Sequence, residues 1–145
     1  MRYLLFSLLL ANASAAELSV TAYPSIQAAL DANPNRMIFV PAGDYPIQEK
    51  IRIRGERSGL FGPGRIIQEN AEQPIIVIEE AKEAEVRDLT LTRPEGKMET
   101  RLEGLIAIKC RDLVIDNRSP AGSITLRESQ NCRISRCLVR NYMRV

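Results

Sequence analysis

Apolar and polar residues alternate along most of this chain with a period of two, in very short bursts. Ile47, then Ile51 and Ile53, Ile66 and Ile67, Ile76 and Ile78, Leu89 and Leu91, Ile106 and Ile108, Leu113 and Ile115, Ile124 and Leu126, and finally Ile134 and Leu138 form small apolar units separated by polar residues, Gly or Asn. Successive side chains of a strand point to opposite faces, so each unit predicts a strand of two or three residues with one buried face. Residues 37–40 (MIFV) predict a continuous apolar strand, and Pro41-Ala42-Gly43-Asp44 a turn in which Gly43 can take positive φ. One helix precedes them. Residues 24–32 (PSIQAALDA) place Ile26, Ala29 and Leu30 on one face behind a Ser25 N-cap, and Asn33-Pro34-Asn35 stops the helix. A Glu/Ala/Lys stretch at residues 73–85 predicts at most a further turn or two of helix.

Strands this short and this frequent do not suit a sandwich, whose strands usually run five or six residues between hairpin signals. They suit an all-β, parallel β-helix, in which each coil carries two or three short strands and equivalent positions stack. Asn117, Asn131 and Asn141 stand at strand ends, where Asn tolerates a left-handed bend and can ladder from coil to coil. The 22-residue interval from Cys110 to Cys132 places two small apolar side chains in one interior stack. Residues 93–101 (RPEGKMETR) predict an insertion at a turn. The glycines of residues 59–64 (GLFGPG) fit neither GxGxxG nor GxxxxGK[ST], so they predict a tight bend in the first coil and not a phosphate loop.

The chain has 145 residues, 45% hydrophobic and 26% charged, which is the composition of an ordinary globular domain. It has no histidine, which removes Ser-His-Asp and Cys-His nucleophile systems and most catalytic zinc sites. Residues 1–15 combine Met1-Arg2, an apolar run over residues 3–11 and the small-x-small Ala13-Ser14-Ala15. That pattern predicts a secretory signal peptide cut after Ala15, hence an exported, periplasmic or extracellular protein with no membrane span. Residues 16–35 then form an N-terminal segment with the helix, and residues 36–145 the strands. Three cysteines (Cys110, Cys132 and Cys137), without a CxxC pair or a His, predict small buried hydrophobes and no metal site.

Charge is uneven. Residues 69–103 carry ten acids and five bases, and residues 104–145 carry eight bases and three acids. Arg outnumbers Lys sixteen to four, and its planar fork suits carboxylate or phosphate. For an exported protein this predicts an acidic polysaccharide and no nucleic acid as the anionic partner. The alternative is that these Arg residues are the outward halves of strands, paired with the acidic segment.

Residues 25–45 (SIQAALDANPNRMIFVPAGDY) followed by residues 51–67 (IRIRGERSGLFGPGRII) resemble the N-terminal portion of the pectate lyase-like (pectin lyase-like) right-handed β-helix superfamily. The resemblance implies a helix capping the open front end, a V-P-x-G-x-Y turn starting the first coil and a G-L-x-G-x-G stretch soon after. It implies a polysaccharide lyase, with an Arg or Lys base and Ca²⁺ held by Asp and Glu, or a polygalacturonase-type hydrolase with Asp pairs. A non-catalytic binding or cell-surface module is the alternative, because the same superfamily holds both. Ca²⁺ enters by this analogy alone. The last coils offer Asp112, Asp116 and Glu128 beside Arg111, Arg127, Arg133, Arg136 and Arg140, none in an Asn-x-Asp or Asp-Asp motif, so no catalytic residue is assigned. The candidate glycan-binding residues are Arg127, Arg133, Arg136 and Arg140. Because NYMRV directly follows an apolar strand, the C-terminal end reads as uncapped. Four to six aliphatic side chains left open, at roughly 1.5–3 kcal/mol each, rival a domain's whole stability of about 5–15 kcal/mol. The expectation is the front piece of a longer β-helix protein, or end-to-end self-association at that coil.

Overall fold

The computed structural model describes residues 18–94, 104–117, 119–120 and 123–137. Among the described residues the architecture is all-β, with stacked parallel strands and one α-helix. Residues 1–15, Leu138, Arg140 and Asn141 lie outside the described residues, so the expected leader, the expected last strand and one candidate Arg are not placed.

A short 3-10 turn, Val20–Ala22, leads into α1, Ile26–Ala32, where the sequence predicts it. Ser25 Oγ accepts the Ala28 N–H at 3.0 Å, satisfying one of the free donors of the first turn, and Ile26, Ala29 and Leu30 are buried. The strands follow as β1 Met37–Phe39, β2 Asp44–Ile47, β3 Ile51–Glu56, β4 Gly59–Phe61, β5 Arg65–Gln68, β6 Ile76–Lys82, β7 Glu85–Arg87, β8 Thr90–Thr92, β9 Leu105–Ile108, β10 Val114–Asp116, β11 Ser119–Pro120, β12 Ile124–Arg127 and β13 Arg133–Ile134. They form three parallel sheets that the chain visits in rotation: β1-β4-β7-β10-β13, β2-β5-β8-β11 and β3-β6-β9-β12. Met37 pairs Gly59, Gly59 pairs Glu85, Glu85 pairs Val114 and Val114 pairs Arg133, so successive circuits take 22, 26, 29 and 19 residues. The longest circuit spans residues 93–101, the predicted insertion, of which residues 95–101 lie outside the described residues.

The core is a set of aliphatic columns running across the strands. Ile38, Leu60, Val86 and Ile115 stack in the first sheet, and Ile51, Ile76 and Leu105 in the third, each at most 2% exposed. Corners are made by left-handed residues, also in columns. Asn35, Arg57, Glu83, Asp112 and Asn131 all have φ between 53° and 60°, and each stands two residues before a first-sheet strand. Asn35 Oδ1 accepts the Glu56 N–H at 3.0 Å, and Asn131 Nδ2 donates to Asp112 Oδ1. Asn131 therefore plays the laddering role read from the sequence. Asn117 does not: it is fully buried, and its amide has no hydrogen-bond partner among the described residues.

Four expectations are corrected. Residues 73–85 form no helix; β6 and β7 occupy them, because Ile76 and Ile78 complete interior columns with Ile51 and Ile53. The 59–64 glycine run is a strand as well as a bend, since β4 precedes the turn at Gly62. In β9 the interior pair is Leu105 and Ala107, with Ile106 and Ile108 outward and half-buried. LIAI is apolar on both faces, and pairing with Ile76 and Ile78 sets its register. Cys110 and Cys132 do not share a stack: Cys110 lies beside Ser129, whose Oγ accepts its N–H at 3.1 Å, while Cys132 precedes Arg133, which pairs with Val114. All three cysteines are free thiols; Cys110 is buried, and burial pushes the half-buried Cys132 thiol up.

α1 closes the free edge of β3. Gln27 Oε1 accepts the Arg52 N–H at 2.8 Å and Gln27 Nε2 donates to the Arg52 carbonyl at 3.2 Å, so one side-chain amide occupies the place of a neighbouring strand. An unpaired edge invites pairing with another chain, and this contact blunts it. Among the described residues no helix is long and apolar enough to cross a membrane.

Candidate functional site

The outer face of the first sheet carries the densest functional chemistry. Its strands read MIF, GLF, EVR, VID and RI, each with its middle or second residue turned inward. Parallel pairing therefore aligns Phe39, Phe61, Arg87 and Asp116 in one outer column. The Phe39 and Phe61 rings lie 5.4 Å apart at 47°, and the Arg87 guanidinium carbon sits 4.9 Å from the Phe61 centroid. Both spacings are those of favourable ring–ring and cation–ring contacts. Glycine makes the close packing possible: a Cβ at Gly62 would stand 2.7 Å from the Phe39 ring and 2.5 Å from the Val40 carbonyl oxygen.

Charge organises the other end of the column. Glu85 and Asp88 flank Arg87 at 3.3 and 3.8 Å. Arg136 donates to both carboxylate oxygens of Asp116, at 2.8 and 2.6 Å, and approaches Asp88 at 3.5 Å. Those hydrogen bonds hold the Asp116 carboxyl below the usual aspartate range and raise the Arg136 guanidinium. A similar fork on the third sheet, Arg54 with Glu79 at 2.6 Å, lowers the Glu79 carboxyl.

Because the folded pKa of Asp116 is depressed, its ion pair is fully present above the unfolded aspartate value, about 3.9, and is lost as pH falls through the lower folded value. In a carboxyl-carbon NMR titration Asp116 should titrate below ordinary aspartates, and Arg136→Gln should move its midpoint upward. An Asp116 midpoint unmoved by that substitution contradicts the fork as the cause.

Of the residues singled out in the sequence, Arg133 and Arg136 come to this face, on β13 and the corner after it. Arg127 does not: it ends β12 and faces outward on the third sheet beyond Ile108. Arg140 is outside the described residues. Asp112 and Glu128 are left-handed corner residues, at φ 57° and 49°. Phe39, Phe61 and Arg87 were not singled out. Their signal was a large residue at the third position of MIF, GLF and EVR, visible only once the register is known.

Calcium, implied by the resemblance, does not fit these residues. Among the described residues no three carboxylates or thiolates converge, and Asp88 and Asp116 are bridged by the Arg136 guanidinium. The chain matches no protein-family model, no curated protein and no solved structure.

Proposed function

We propose that this chain is the N-terminal part of an exported right-handed parallel β-helix protein of the pectate lyase-like type, and that its first-sheet face binds acidic polysaccharide. The three-sheet rotation supports the β-helix, and its hand follows from the strong preference for right-handed crossovers between parallel strands. Export is supported by the charged, apolar and small-residue order of residues 1–15.

The observation that carries the binding reading is the Phe39–Phe61–Arg87 column. Aromatic rings accept the apolar face of a sugar, and an Arg fork held beside them accepts a uronate carboxylate. Strand spacing of about 4.8 Å turns the column into a linear track along the stack. The Arg136 fork favours the ionised form of Asp116, which suits it to pairing with a cation and not to donating a proton as a general acid.

Affinity electrophoresis in polygalacturonate tests this. The protein should be retarded relative to a neutral-glycan gel, and Arg87→Ala should lose most of the retardation, about tenfold in affinity for a lost charge-assisted contact. Equal mobility in the two gels removes the proposal.

A further inference from the structure

The third-sheet edge beneath α1 holds a second, unrelated feature. A cleft of about 430 Å³ lies between α1 and β3, within the size range of small-ligand pockets. Leu30, Pro34 and Ile53 give it an apolar floor, and Ser58 and Arg52 contribute polar groups on the strand side, with Asp31 on the helix side.

Ser58 is 4% exposed and lines the strand side of the cleft. Arg54 is consumed by Glu79, but Arg52 makes no ion pair among the described residues. Asp31 takes one hydrogen bond, from Gln27 Nε2 at 2.9 Å, and does not pair with Arg52 across the cleft. Gln27 meanwhile is fixed by its two bonds to the Arg52 backbone, so the wall of the cleft is rigid where the ligand would sit.

We propose that this cleft binds a small hydroxy- or amino-carboxylate with an apolar body. The carboxylate lies on the Arg52 guanidinium, the hydroxyl or ammonium donates to Asp31, the apolar body rests on Leu30, Pro34 and Ile53, and Ser58 Oγ takes a remaining polar atom. A carboxylate lacking the donor leaves Asp31 facing a like charge, which is the basis of selectivity. The site shares no residue with the first-sheet column, so it stands or falls independently of glycan binding.

Amide NMR titration of the full chain with two probes, leucine and galacturonate, tests it, with isovalerate as the carboxylate without a donor. At least one of the two probes should shift the Gln27, Arg52 and Ser58 amides with a Kd near the millimolar range, more tightly than isovalerate. Arg52→Gln, a substitution at an exposed position, should weaken that binding about tenfold, and Ser58→Ala should weaken it less. Retained circular dichroism verifies that both variants are folded. Leucine alone identifies an amino acid as the ligand class, and galacturonate alone a sugar acid. No shift at these amides with either probe up to about 20 mM, or equal binding by Arg52→Gln, overturns the proposal.

Discussion

Replacing Gly59 by Ala should destabilise the protein by more than about 3 kcal/mol, the range seen when a buried group is forced into a packed interior. A Cβ built at Gly59 stands 1.9 Å from the Glu85 carbonyl oxygen and 2.9 Å from the Met37 sulfur. The sulfur ends a flexible chain and can move. The carbonyl cannot, because β4 and β7 are hydrogen-bonded neighbours whose separation sets the stacking of the whole first sheet. Relief would have to come from shifting one strand against the other, and that disturbs the Leu60–Val86 contact directly inside. Gly43 is the internal control. Its Cβ would meet nothing nearer than 3.9 Å, from the Tyr45 ring, so its requirement is conformational, at φ 145°, and not steric. Gly43→Ala should therefore cost about 1–2 kcal/mol, the scale of backbone strain alone. Urea denaturation of the two variants checks both values, and a Gly59→Ala midpoint no lower than that of Gly43→Ala contradicts the close approach.

The same glycine shows how far the chain could be read without a structure. The run 59–64 was legible as a backbone device, but its strand was not, because GLF offers one inward residue and no alternating pair. EVR at β7 hides for the same reason, inside a stretch rich in Glu, Ala and Lys that favours helix locally. Stacking overrides that preference: Val86 completes a column begun by Ile38 and Leu60. The helix was legible to its cap, since Ser25, the spacing of Ile26, Ala29 and Leu30, and Asn33-Pro34 are all local signals. Register was the information missing elsewhere. A residue's neighbour across the sheet lies 19 to 29 positions away by an amount that turns and insertions change, so Phe39 and Phe61 could not be joined from sequence. Arg127 and Arg133 were grouped because they are close in sequence, yet a six-residue step carries the chain around a corner to another sheet.

A single interior column should show a steep gradient of mutational cost from its middle to its last strand. Ile53, Ile78, Ala107 and Leu126 stack in the third sheet, with Ile78 fully buried between Ile53 and Ala107. Ile78→Ala leaves a cavity with covered walls on every side, so it loses both the transfer energy of the missing carbons and the contacts around them, about 2–5 kcal/mol. Against a total of about 5–15 kcal/mol, that brings the protein near its unfolding threshold. Leu126 occupies the equivalent position one strand beyond Ala107 but is 40% exposed, as Ile134 is at 43% on the first sheet. Water fills the space that Leu126→Ala vacates, so no cavity term arises, and the cost falls to about 1 kcal/mol for a partly buried side chain. Thermal denaturation should then separate the two variants by several degrees at least. Equal losses would mean that Leu126 is as well covered in solution as Ile78. Sedimentation of the unmodified protein at two concentrations then decides whether a second copy supplies that cover, since a mass that rises with concentration requires association and a constant monomer mass denies it.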